Sequence, residues 1–345
     1  MELLYRRSGP DGTQPAVPQI RWLSADDYPV FCLHLELCGQ KPLHKPVWDQ
    51  IFAEGTAYCG FFVGDKMAGR ACVEKYSQNA WEVADVRVAK PYRNQGYASM
   101  LCRFAMSYIL SEGKTATIRT EEDNYAMQRV IEKLGFTKMR RIGILGGTFN
   151  PIHWGHLLLA EWARDTFELE EVWFIPTGHS YMKTDDDVLS GEERFHMVKL
   201  ALEDNLSFRC LDTEVRRQGC SYSYETLEQL KRECPDCDFY FIVGADCLFS
   251  IENWKCTERI FQNCTLTAAV RDRTSWNEME DQRANLERKF GCKILLMPFI
   301  GLSVSSTEIR QRIREGKSVR YLVPDRVLKY IEEKGFYIGQ KSVER

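Results

Sequence analysis

At 345 residues, with 44% hydrophobic and 12% aromatic content, the chain exceeds one typical domain and holds enough apolar material for two packed cores, which excludes bulk disorder. A formal charge of −3 and a pI near 6.2 argue against nucleic acid as the main partner. No stretch of ~18 apolar residues occurs and the opening MELLYRRSGPDG lacks a signal-peptide core, so no membrane span and a cytoplasmic location are expected.

Taken in order, residues 1–19 carry Gly9, Pro10, Gly12, Pro15 and Pro18 and read as a poorly ordered leader. Ile20–Leu23 starts a strand, and Ser24 with Asp26 and Asp27 caps a helix reaching Leu37. Apolar runs over 57–64 and 67–74 read as a hairpin, and Trp81–Ala89 as another strand. Next come Arg93, Asn94, Gln95, Gly96, Tyr97 and Ala98, opening a helix with Met100, Leu101, Phe104, Ala105, Tyr108 and Ile109 on its apolar face. Arg-x-x-Gly-x-Ala at a helix start offers successive backbone amides to a pyrophosphate.

That segment resembles the coenzyme A loop of GNAT-type N-acetyltransferases, and 124–136, NYAMQRVIEKLGF, is similar to a later segment of that family. The resemblance spans about 20–138 and implies a mixed α/β domain over 20–139. It further implies acetyl-CoA bound through Arg93–Ala98 and Asn124, and an amine acceptor. The family's usual tyrosine before EKLGF is Ile131 here; Tyr125 and Tyr97 are candidates to stand in. An active acetyltransferase and an acyl-CoA-binding module without transfer both remain open.

The second domain, 140–345, follows without a flexible linker. Arg141–Leu145 is a short branched apolar run, expected as a buried parallel strand. Gly146-Gly147 ends it, Thr148, Asn150 and Pro151 turn the chain, and a helix starts near Gly155. His153 and His156 stand one helical turn apart at that start, where free amides attract phosphate and both imidazoles can meet one anion. Further strands are expected over 171–175, 211–217, 238–243, 265–270 and 293–297, with helices over 195–202 and 225–232 and from 277. Ser305 and Glu308 form a capping box at a last site-bearing helix. Cys234 and Cys237 lack the second pair that a structural zinc needs, so no metal site is expected, and the thirteen cysteines should be reduced and mostly buried.

GGTFNPIHWGH is similar to the signature of bacterial nicotinate-nucleotide adenylyltransferases, and the resemblance continues to about Tyr337. It implies a Rossmann-like, doubly wound parallel sheet and adenylyl transfer from ATP, with Mg2+, to nicotinate mononucleotide, giving deamido-NAD and pyrophosphate. His153, His156, Lys183 and Arg310 would act on the reacting phosphates. Gly146, Gly147, Thr148, Phe149, Gly244, Asp246, Ser306 and Thr307 would hold ATP, and Tyr222, Ser223 and Trp254 the nicotinate nucleotide. The family's Pro-Pro-His-Lys is Ser180-Tyr181-Met182-Lys183 here, with His179 beside it. Transfer of a nucleotidyl group to another phosphate is the alternative, as is an adenylyltransferase regulated by an inactive acyl-CoA-binding domain.

Overall fold

The computed structural model describes residues 2–9, 17–77, 79–178, 188–270 and 276–338. Two compact units emerge, Met1–Met139 and Arg140–Arg345. The expectations for His179, Ser180, Tyr181, Met182 and Lys183 lie outside the described residues.

In the first unit the elements run β1 Glu2–Arg7, β2 Ile20–Trp22, α1 Tyr28–Leu37, α2 Lys45–Ala53, β3 Ala57–Val63, β4 Lys66–Glu74, β5 Ala80–Val88, α3 Tyr97–Ser111, β6 Thr115–Glu121, α4 Tyr125–Lys133 and β7 Thr137–Lys138. They form one sheet in the order β2-β3-β4-β5-β6-β1-β7. The leader expected over 1–19 is corrected: residues 2–7 are a strand paired antiparallel to both β6 and β7. Its alternation buries Leu3 and Tyr5, a period-2 signal outweighed in the sequence by the glycines and prolines after it. One face of the sheet receives Ala105, Met106 and Ile109 of α3 against Val73, Val83 and Ile118. A separate cluster joins Phe31 and Leu35 of α1, Trp48 of α2 and Met67 of β4.

The pairing between β5 and β6 is parallel and stops at Val83↔Ile118. Beyond it β5 bulges: its register against β4 shifts between Arg70 and Cys72, and Asp85 takes a positive φ of 45°. A non-glycine residue there needs outside support. Fully buried Arg70 supplies it, donating from Nε and Nη2 to the Asp85 carboxylate at 2.6 and 3.0 Å. The two strands thus open a fork, and Val86 and Val88 past the bulge line a cavity.

In the second unit the elements are β8 Arg140–Gly147, α5 Trp154–Thr166, β9 Glu171–Pro176, α6 Gly191–Leu202, β10 Phe208–Cys210, α7 Ser223–Glu233, β11 Cys237–Gly244, α8 Ala245–Ser250, α9 Thr257–Asn263, β12 Thr265–Val270, α10 Trp276–Phe290, β13 Ile294–Pro298, α11 Ser306–Arg314 and α12 Asp325–Lys334. The sheet order is β10-β9-β8-β11-β12-β13, with every pairing parallel. Alternate strand residues point to opposite faces. Leu145, Phe174 and Ile242 meet α5, α6, α11 and α12; Ile144, Trp173 and Phe241 meet α7, α8, α9 and α10. This is the doubly wound arrangement, and the order reverses between β8 and β11, the crevice where ligands of such sheets bind.

The strand expected over 211–217 is corrected. Only Phe208–Cys210 pairs with β9, and 211–217 turns back on itself through Arg216 N–H to Asp212 and Arg217 N–H to Glu214. The apparent alternation serves instead to turn Glu214 inward. The cysteine expectation is also modified: all thirteen are free, but only Cys59, Cys72, Cys102 and Cys237 are buried.

Gly143, mid-strand in β8, leaves no room for a side chain. A Cβ there would come within 2.8 Å of Leu169, 3.0 Å of Ile242 and 3.1 Å of Val172. Gly143→Val is expected to destabilise the second unit by about 2–3 kcal/mol through overpacking, read as a lower chemical-denaturation midpoint. An unchanged midpoint would contradict this packing.

Candidate nucleotide-transfer site and a second cavity

β8 delivers Gly146 and Gly147 to the switch point, and the chain turns through Thr148, Phe149 and Asn150 into α5. Phe149, at φ 48°, buries its ring edge-on against His156, 5.0 Å between centroids. His153, 6% exposed, is the N-cap of α5, and its ring stacks on His156 at 3.7 Å. The backbone N–H of His153 donates to His156 Nδ1 at 3.3 Å. That bond takes the Nδ1 lone pair, so a neutral His156 carries its proton on Nε2 as a donor. Two imidazoles and the N-terminus of a helix therefore occupy one place, with the Trp154 N–H donating to the Leu322 carbonyl at 3.2 Å and the His156 N–H to the His153 carbonyl at 3.0 Å.

The first turn of α11 is docked on this turn. Ser306 Oγ donates to the Pro151 carbonyl at 2.8 Å and Arg310 Nη1 to the Asn150 carbonyl at 3.0 Å. Ser305 caps the helix, accepting from Glu308 N–H, and Thr307 is exposed. Arg310 Nε is buried with no partner among the described residues. The Asn150 side chain accepts from Tyr337 Oη at 2.7 Å and from Leu189 N–H at 3.3 Å. Gly244 ends β11 beside this crevice, and Asp246 is exposed in the first turn of α8.

Against the glycine turn lies a cavity of about 200 Å3, lined by Gly146, Gly147, Thr148, Ser223, Trp254 and Glu214 among others. Trp254 stands edge-on to Phe241, 6.3 Å between centroids, and offers its ring to a planar ligand. Tyr222, just before α7, carries the Lys255 ammonium 4.0 Å above its ring. In the first unit a separate cavity of about 430 Å3 is lined by Arg93, Asn94, Gly96, Tyr97, Ala98 and Asn124, with Val86, Val88 and Tyr92 added. Gly96 is the left-handed N-cap of α3 at φ 82°, and Asn124 caps α4. Gln95 is turned to Tyr97, accepting from its hydroxyl at 2.7 Å. Tyr97 stacks on Phe61 at 4.0 Å, Tyr125 is 69% exposed, and Ile131 is fully buried.

A cytidylyltransferase-like family model matches residues 144–312. A protein of Lachnoclostridium phytofermentans described as a probable nicotinate-nucleotide adenylyltransferase is 42% identical over 200 residues, covering 58% of this chain and 100% of the relative. The chain belongs to the nicotinate-nucleotide adenylyltransferase family. A second family relative, from Moorella thermoacetica, is 39% identical over 202 residues, covering 58% of this chain and 93% of its own. The Plasmodium falciparum nicotinic acid mononucleotide adenylyltransferase complexed with NaAD aligns over 57% of this chain and 97% of its own, at 19% identity and a TM-score of 0.49. The model of the GNAT acetyltransferase family matches residues 17–136, so in this chain the adenylyltransferase part is joined to a GNAT domain.

Two residues beside the glycine turn escape a linear reading. Glu214, 8% exposed, accepts from Thr226 Oγ1 at 2.8 Å, and burial raises its pKa above the ordinary carboxylate value. Arg194, 2% exposed, looks in the sequence like a solvated charge of a Glu-Glu-Arg run. Its position three and four residues before Met197 and Val198 places it on the buried stripe of α6, the one signal that marks it.

Proposed function

We propose that the second unit transfers the adenylyl group of ATP to nicotinate mononucleotide, giving deamido-NAD and pyrophosphate, a step of NAD biosynthesis. The stacked His153–His156 pair at the start of α5 carries this reading, because it lies on the same glycine turn as the cavity lined by Ser223 and Trp254. The attacking nucleotide phosphate is already ionised near neutral pH, so the reaction asks for alignment and charge neutralisation rather than a strong base. The histidine pair at the start of α5 would hold the phosphate under transfer, His156 through its Nε2–H, since its Nδ1 accepts from the His153 amide. Arg310, whose Nε has no partner among the described residues, and the α11 start would hold the outer phosphates. A magnesium ion, if held largely by the phosphates and water, would add to the neutralisation that Arg310 gives the leaving pyrophosphate.

Purified protein offered ATP with either mononucleotide tests the assignment. The nicotinate form is expected to exceed the nicotinamide form in kcat/KM by at least ~100-fold, because a site matched to one polar group leaves donors unpaired on the other. Equal efficiency would overturn the substrate assignment.

For the first unit we propose acyl-CoA binding in the 430 Å3 cavity, with the pyrophosphate on the amides of 94–98 and the pantetheine arm in the β5–β6 fork. Acetyl transfer to an amine is the chemistry this binding would serve. Ile131, at zero exposure, contributes only packing there, so protonation of the thiolate falls to another hydroxyl or to solvent.

A further inference from the structure

We propose that Arg194 is a positioning residue of adenylyl transfer whose buried charge is answered by the polyphosphate of the nucleotide; this rests on the reading of the site given above. Arg194 donates from Nε to the Leu189 carbonyl at 2.9 Å, from Nη1 to the Thr148 carbonyl at 2.7 Å and from Nη2 to the Gly178 carbonyl at 2.9 Å. Those carbonyls belong to three separate segments: the turn after β8, the chain just after β9 and the chain just before α6. One rigid planar fork fixes all three, a geometry that a lysine ammonium on a flexible stem does not reproduce.

The charge is the unusual part. Arg194 is 2% exposed, and no carboxylate forms an ion pair with it among the described residues. Glu214 and Tyr337 act on it only at longer range, and burial lowers its pKa. A cation left in a protein interior without a counter-charge is costly, and carbonyl dipoles answer only part of it. Its contact at Thr148 sits on the glycine turn that also receives Arg310 through Asn150 and opens into the α5 N-terminus. Two guanidiniums and a helix start around one turn make a positive potential suited to a polyanion.

The test uses the full chain with Arg194→Lys, which keeps the charge and loses the fork, and Arg194→Gln, which loses both. The readouts are calorimetric binding of inorganic triphosphate at low salt and kcat and KM for ATP, with thermal unfolding confirming the fold. In Arg194→Gln the triphosphate affinity is expected to fall at least ~10-fold, while Arg194→Lys stays within ~3-fold, because only the charge acts at a distance. In both variants kcat is expected to fall at least ~30-fold, because neither side chain spans the three carbonyls. Unchanged triphosphate affinity in a folded glutamine variant, or wild-type kcat in the lysine variant, overturns the proposal. If the glutamine variant fails to fold, kcat of the lysine variant decides alone. A wild type without adenylyl transfer would refute the functional reading, and the triphosphate measurement would still decide the role of the Arg194 charge.

Discussion

Alanine at His156 is expected to lower the rate of adenylyl transfer at least ~100-fold, and alanine at His153 likewise, the loss typical of removing a preorganised donor from a developing charge. Both rings are held by what surrounds them: His156 by the His153 amide and the edge of Phe149, His153 by its stack on His156. Neither belongs to the apolar clusters on which the sheet rests, so the variants should unfold close to wild type. The coupling has a sharper consequence. Since His156 Nδ1 is occupied, His156→Asn, whose amide can mimic the Nδ1 acceptor but not the Nε2 donor at its reach, should lose nearly as much as alanine. Steady-state kinetics with thermal unfolding on the same samples decide it; near-normal turnover in either alanine variant would remove that histidine from the mechanism.

Gly96→Glu in the first unit is expected to abolish measurable acetyl-CoA binding while adenylyl transfer persists. At φ 82° this position strains any side chain, although a Cβ there would meet no protein atom within 4 Å. The steric cost within the protein is thus confined to the backbone, and the larger effect is a carboxylate placed on amides that should face a pyrophosphate. Gly96→Ala separates the two, because it keeps the backbone strain without the charge and should weaken binding only several-fold. Calorimetry with acetyl-CoA on the wild type and both variants is the measurement. A wild type that binds nothing at millimolar ligand would reduce the first unit to a shared fold.

Much of the site was legible because its signals are local. Gly146-Gly147, the histidine pair and the capped start of α11 each sit within a few residues, so the pattern on which the proposed anion site rests is local. The same holds for Gly96 at the start of α3. What the sequence concealed is long-range. Arg194 meets Thr148 and Gly178 only after the chain has passed through β9, and Glu214 meets Thr226 across a turn that imitates a strand. The fork between β5 and β6 depends on Arg70 supporting Asp85, a pairing that no periodicity announces. Strand β1 was hidden for a related reason: its partners come from distant segments, while the turn formers that follow it are adjacent.

That placement of β1 has a consequence for synthesis. Tyr5 pairs opposite Ile118 and Lys138, roughly 110 and 130 positions later, so an interior strand of the sheet is made first and completed last. At a translation rate of about 5–20 residues per second, β1 would wait on the order of ten seconds before β6 exists to receive it. During that interval Leu3 and Tyr5 are exposed on a nascent chain, and β2 to β5 can assemble only as an open-edged half sheet. The β1–β6–β7 closure, with its high contact order, is then the natural slow event in folding of this unit, and the last of its residues to emerge come immediately before the first strand of the adenylyltransferase fold.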